Sequence, residues 1–227
     1  MTQEEKDRLE IVKEVCSLQD CTLNEIYNFV KTGKVTTPVK LEPTPADGIY
    51  LVLADGNCHK FTGTNIILDC DNPIIGIGVK QGDKSLIVAL HDAADGEDVT
   101  LTTCKDKKDY NGYITEYIDA VADWNGKTNT DHLKAENLNP AINLKDGWYI
   151  PSVAEMYLIY LHRKAINEAL EYVGGSPIPG IWYWTSTESS AADAWGLYLG
   201  DGSLGHWHAK ASGKLRVRPV SAFIPKP

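Results

Sequence analysis

A chain of 227 residues with 43% apolar and 23% charged side chains has the composition of a soluble globular protein, long enough for one ordinary domain and an appendage. Its net charge of −9 argues against electrostatic capture of nucleic acid or of an anionic membrane. No apolar run approaches the roughly 20 residues that a membrane helix needs, and the densely charged residues 1–10 lack the apolar stretch of a secretory signal. The expectation is a protein made in the cytoplasm without a signal peptide and not inserted in a membrane.

The first 33 residues read as two short helices. Thr2 with Glu5, and Thr22 with Glu25, have capping-box spacing. Ile11, Val15 and Leu18 form one apolar stripe, and Leu23, Ile26, Tyr27 and Val30 another, with Gly33 as a stop. Short stripes of this kind need a partner, either the main domain or the same segment in other subunits, so a homo-oligomer assembled through these helices is one expectation. Residues 35–45, with Pro38, Pro43 and Pro45, read as an extended linker, which places a domain boundary near residue 45.

Strands follow at residues 49–53, 66–68, 74–79 and 86–90, separated by turn signals such as Asp55-Gly56 and Gln81-Gly82-Asp83. Residues 92–109 read as loop. Ile114, Tyr117, Ile118 and Val121 predict a helix that ends at Asn125-Gly126, and residues 128–145 read as irregular. Next, Gly147-Trp148-Tyr149-Ile150-Pro151 runs into Ser152 with Glu155 three residues on, the signature of a capped helix that continues to about Tyr172.

The last fifty residues are strand-like again. Trp195, Leu197 and Leu199 alternate with Gly196, Tyr198 and Gly200, so period two places the first three against a core and the second three outward. Asp201-Gly202 makes a hairpin turn, residues 204–208 return, and residues 215–220 close the sheet with Val217 inward. Between residues 189 and 213 the outward positions mix Ser, Ala, Asp, Gly, Tyr, His and Trp. Aromatic side chains give contact area at small entropic cost and Ser and Gly are adaptable neighbours, a combination typical of binding surfaces. An exposed sheet face with aromatics packed under a loop has the same composition.

Four motifs occur in order: Gly147-Trp148-Tyr149-Ile150-Pro151-Ser152 with Glu155; Tyr183-Trp184-Thr185-Ser186-Thr187-Glu188; Ala194-Trp195; and Arg216-Val217-Arg218-Pro219-Val220. Together with residues 48–53 and 75–92, this framework resembles the variable proteins of diversity-generating retroelements and related phage and gut-bacterial proteins, over about residues 46–224. The resemblance implies an α+β, C-type-lectin-like fold at 46–227, with a central antiparallel sheet and two flanking helices, preceded by the helical segment of residues 1–45. It also implies a ligand-binding face at about 189–213, rewritten by mutagenic reverse transcription, that presents Ser189, Ser190, Ala192, Asp193, Gly196, Tyr198, Gly200, Asp201, Ser203, Gly205, His206, Trp207, His208 and Ser212. By the same resemblance Trp184, Trp195, Leu197, Leu199, Arg216 and Arg218 are scaffold, although either arginine reads equally well as a surface charge. The implied function is an adhesin or receptor-binding protein for a protein or glycan on a cell surface, carried on a virion tail or displayed at a surface, with no catalytic residues and no cofactor.

Other functions have weaker support in the residues. The formylglycine-generating oxidases of the same fold class need cysteines in the C-terminal half, whereas the five cysteines here end at Cys104. A calcium-dependent lectin would need converging acidic and amide oxygens; Trp124-Asn125-Gly126 is a partial echo of one such motif, and Asp69, Asp71 and Asn72 are as well explained by a turn. His206 and His208 with Asp201 form too incomplete a set to signal zinc. No Gly-x-Ser-x-Gly elbow surrounds Ser186.

Overall fold

The computed structural model describes residues 2–3, 46–63, 72–103, 112–135 and 137–223. The chain separates into two compact units, Met1–Thr44 with Pro227, and Pro45–Lys226. The expected helices of residues 1–33, the linker at 35–45, the strand at 66–68 and the Asp69–Asp71 turn lie outside the described residues.

The larger unit is a mixed α and β structure with two antiparallel sheets. The first has the order β2-β1-β3-β4-β9-β5, formed by Gly48–Leu53 (β1), Cys58–Lys60 (β2), Ile74–Gln81 (β3), Lys84–Ala89 (β4), Trp148–Tyr149 (β5) and Val220–Ala222 (β9). The second consists of Trp182–Glu188 (β6), Asp193–Tyr198 (β7) and Ser203–Ala209 (β8), in that order. Helices run over Tyr117–Ala120 (α1), Gly126–Ala135 (α2) and Val153–Tyr172 (α3). The strands expected at 49–53, 74–79 and 86–90 and the long helix from residue 153 are all present, within a residue or two at their ends.

The main core lies between the first sheet, α3 and the inner face of the second sheet. Ile49, Leu51, Ile77, Val79, Leu86, Val88 and Val220 meet Met156, Leu158, Ile159, Ile166 and Leu170, together with Tyr183, Leu197 and Leu199. A second core covers part of the opposite face of β6-β7-β8, where Trp184 and Ala194 pack with Leu101, Leu133, Ile142, Ile150, Leu215 and Val217. On the inner side of the three-stranded sheet β6 and β7 are buried while β8 leaves Leu204 half-buried and His206 exposed, and the other side is partly covered.

Two expectations between residues 114 and 145 need correction. The helix predicted from Ile114 to Val121 is only the single turn α1; Ile114 lies before it, its N–H donating to the Glu188 carbonyl at 2.9 Å, and Ile118 is 72% exposed. The stretch read as irregular instead contains α2, whose buried residues are Gly126, Thr130 and Leu133. Helical spacing is present there, but two of the three buried positions are glycine and threonine, so hydrophobic periodicity gives almost no signal. Thr130 joins α2 to the end of β5: its hydroxyl donates to the Ile150 carbonyl (3.1 Å) and accepts the Ile150 N–H (2.9 Å).

The start of α3 is held by the capping box expected of Ser152 and Glu155. The Glu155 carboxylate accepts the Ser152 N–H at 2.8 Å and the Tyr149 hydroxyl at 3.0 Å, while the Ser152 hydroxyl donates to the Asp123 carbonyl at 2.6 Å. Burial raises the Glu155 carboxyl above its ordinary pKa, opposed by these hydrogen bonds. Gly126 starts α2 directly against this network, and a Cβ there would collide with the Glu155 carboxylate and approach the Ser152 backbone nitrogen to 2.8 Å. Helix propensity favours Gly→Ala by about 1 kcal/mol, but overpacking a fixed site costs about 1–3 kcal/mol. Because the obstructing atoms belong to a cap and a main chain, the clash wins: Gly126→Ala is expected to shift the denaturant midpoint downward, and an unchanged or raised midpoint would show that the cap can yield.

Candidate functional site

Strand pairing fixes which side chains share the outer face of the second sheet. Trp182 pairs with Tyr198, Trp184 with Gly196, Gly196 with Gly205, and Tyr198 with Ser203. Paired residues lie on the same face, so Trp182, Trp184, Gly196, Tyr198, Ser203 and Gly205 look one way. Trp195, Leu197 and Leu199 look the other way and are buried at 2%, 0% and 0% exposure. The alternation read from residues 195–200 is the observed one.

The second core hides only part of the outer face. Trp184 is fully buried, with its indole N–H donated to the Val99 carbonyl at 2.8 Å. Trp182, Tyr198 and His208 are half-buried, and Ser203 is exposed. Trp207 is 65% exposed. The rings form a connected cluster: Trp182–Tyr198 centroids are 5.6 Å apart, Trp182–His208 4.9 Å, Trp184–His208 5.9 Å and Trp207–His208 6.0 Å. On the opposite side the exposed His206 ring lies tilted against Trp195, the centroids 5.0 Å apart.

The other expected positions divide by location. Ser190, Ala192 and Asp193 form the turn between β6 and β7, where the Ser190 hydroxyl donates to the Asp193 carboxylate (2.9 Å) and accepts the Ala192 N–H (3.0 Å). Gly200 and Asp201 lie exposed in the β7–β8 turn; Asp201 accepts the Ser203 N–H at 2.9 Å, and the Ser203 hydrogen bonds hold its carboxyl below the usual range. Ser212 is exposed in the turn after β8.

Three of the expected display positions are not displayed. Ser189 is 5% exposed, its hydroxyl donated to the His206 carbonyl at 2.6 Å, which ties the β6–β7 turn to β8. Gly196 and Gly205 point to the expected face but are covered. A Cβ on Gly196 would come within 2.8 Å of the His208 ring and 3.0 Å of Leu215, and one on Gly205 within 3.0 Å of the His208 ring and 3.2 Å of Trp207. Alternation gives direction, and the large side chains of β8 decide cover.

Trp182, paired with Tyr198, is a residue of this face outside the expected set. The available signal was its two-residue spacing from Trp184.

The framework beneath is ionic as well as apolar. Glu188, at the end of β6, pairs with Lys210, just past β8; the side chains are 3% and 0% exposed, and His132 Nε2 of α2 lies 3.5 Å from the same carboxylate. Arg218 is fully buried and pairs with Asp92 at 2.6 Å, while Arg216 pairs with Asp98 at 2.8 Å. Of the two readings left open for Arg218, the buried pair is the observed one.

Among the described residues no group of three His, Cys, Asp or Glu side chains converges in a way that would hold a metal ion. Asp123 and Glu155 are engaged by hydrogen bonds from Asn125, Asn129 and Thr187, and from Ser152 and Tyr149. Among the described residues no helix is long and apolar enough to cross a membrane. No family model matches the chain, and no curated protein matches it.

Proposed function

We propose that this chain is a ligand-binding adhesin or receptor-binding protein, with a lectin-like scaffold of the kind used by variable proteins of diversity-generating retroelements. Its ligand is a protein or glycan on a cell surface, and the chain acts from a virion tail or a cell surface without catalysing a reaction. The observation that carries this reading is the half-open face of β6-β7-β8: Trp207 is 65% exposed beside partly exposed Trp182, Tyr198 and His208, above a framework that is buried. An exposed tryptophan among aromatic and small polar neighbours is the usual composition of an affinity hot spot. The framework residues of the four motifs support the same reading, because Trp184, Trp195, Val217 and Arg218 are all buried beneath or beside that face. Repeated copies joined through residues 1–45 would raise a modest affinity by avidity.

The test is retention of labelled protein on a panel of whole bacterial cells and on immobilised glycans. Replacing both Trp207 and Tyr198 by Ala is expected to lower binding to any retaining surface about 100-fold or more, as loss of two central anchors does. Trp207→Ala alone should leave the melting temperature nearly unchanged, whereas Tyr198→Ala gives up the ring contact with Trp182, worth about 1 kcal/mol. Undiminished retention by the folded double variant would overturn the proposal. The diversification part has its own check, a near-identical downstream template repeat differing mainly at adenines beside a reverse transcriptase gene.

A further inference from the structure

The imidazole of His208 occupies a place that the surrounding residues leave for it. Gly196 on β7 and Gly205 on β8 face each other in register, and neither has a side chain to fill the space above them. The His208 ring fills that space: a Cβ on either glycine would lie 2.8–3.1 Å from its atoms. Trp182 and Trp184 stand at 4.9 and 5.9 Å on the β6 side, Trp207 stands at 6.0 Å, and Leu215 lies over Gly196 beside the ring. The walls are fastened independently of the histidine, Trp184 by its hydrogen bond to Val99 and Trp182 by the Tyr198 ring.

The ring itself is poorly tethered. Its Nε2 is buried and finds no hydrogen-bond partner, an arrangement that works against the seated position. The residue is nevertheless only half-buried, so the space it fills opens to solvent. We infer that His208 is a removable plug in a preformed slot of the ligand face, and that the emptied slot takes a flat heteroaromatic group, such as an imidazole, from a ligand. The inference deepens the proposed binding function and rests on it for the identity of the incoming group, not for the slot.

Acid should loosen the plug. Protonation would place a charged N–H without an acceptor among indoles and glycines. Burial pushes the His208 imidazole below its ordinary value of 6.5, and the Asp193 carboxylate pulls more weakly the other way. The surrounding elements present Trp182 and Trp184 from β6, Gly196 and Asp193 from β7, Leu215 from the segment between β8 and β9, and Gly205 and Trp207 from β8 itself. Asp193 is the charged group among them. Since the folded value is depressed, the contribution of the seated ring to stability is present above the ordinary value and is lost as pH falls through the folded one.

The full chain carrying His208→Ala, titrated with free imidazole at pH 8, tests the slot. The indole N–H resonances of Trp182 and Trp184 should shift saturably, with half-occupancy at about millimolar imidazole for so small a ligand, and the wild type should not respond. A folded variant that gives no saturable shift, or a wild type that responds alike, overturns the inference. In the wild type the His208 ring should titrate below pH 6.5 with the same two indoles following its midpoint; titration at or above 6.5, or indoles that do not follow, also overturns it. The second measurement decides alone where the variant does not fold. Neither uses the natural ligand, so their failure leaves the adhesin proposal standing, and failure of that proposal leaves the slot.

Discussion

Arg218→Ala should lower the melting temperature by roughly 6–20 °C, the consequence of about 3–5 kcal/mol lost when one partner of a buried ion pair is removed from a domain of this size. Arg218 is fully buried, its Nε 2.6 Å from Asp92, and its two terminal nitrogens donate to the carbonyls of Ala89 (3.0 Å) and Ser176 (3.0 Å). Alanine would leave the Asp92 carboxylate, 5% exposed, with the Tyr183 hydroxyl at 3.0 Å and the more distant Arg216 Nη1 at 3.5 Å. It would also strand two main-chain acceptors that connect the end of β4 to the segment after α3. Arg218→Lys keeps the charge but lacks the planar fork that reaches both carbonyls, so it should fall between wild type and alanine. A melting temperature within about 3 °C of wild type for Arg218→Ala would show that water replaces the guanidinium at little cost.

Lys210→Ala should be comparably damaging, at about 3–5 kcal/mol in denaturant unfolding, because Glu188 would be left ionised and buried. Replacing both partners, Lys210→Met with Glu188→Leu, should recover most of that loss, since an apolar pair of similar volume often equals a buried ion pair in stability. The contrast between the single and double variants is the informative quantity. If the double variant were as unstable as the single one, the other interactions of this site, including His132 at 3.5 Å from Glu188, would carry more of the stability than the pair itself.

Most of the large elements and the polarity of the displayed sheet were legible in the sequence, for definite reasons. Trp195, Leu197 and Leu199 are bulky residues at strict period two, and no other arrangement buries all three. Ser152 and Glu155 announce α3 because a capping box is local chemistry. What escaped is determined by tertiary contact. The buried stripe of α2 consists of Gly126, Thr130 and Leu133, small or polar residues chosen to fit a network around Glu155 and Ile150. Gly196 and Gly205 are covered by the His208 ring, which folds back over Gly205 of its own strand and across Gly196 of the paired one beyond a register shift, and simple alternation does not encode that. Ser189 looks like a loop residue and is one, yet its hydroxyl is used to brace β8. Trp182 was readable, by counting back two residues from Trp184, and belongs with Tyr198 and Trp207 on the candidate face.

The irregularity in β8 bears on what happens when many copies meet. β8 is the outer strand of its sheet, and a free margin of main-chain amides beside a bare indole would ordinarily invite molecules to zip together into fibrils. Between the pairs Ala194–His208 and Gly196–Gly205, however, Trp195 alone stands opposite both His206 and Trp207. That surplus residue bends the strand and interrupts the amide row just where the indole protrudes. Crowded neighbours are therefore denied a template to extend.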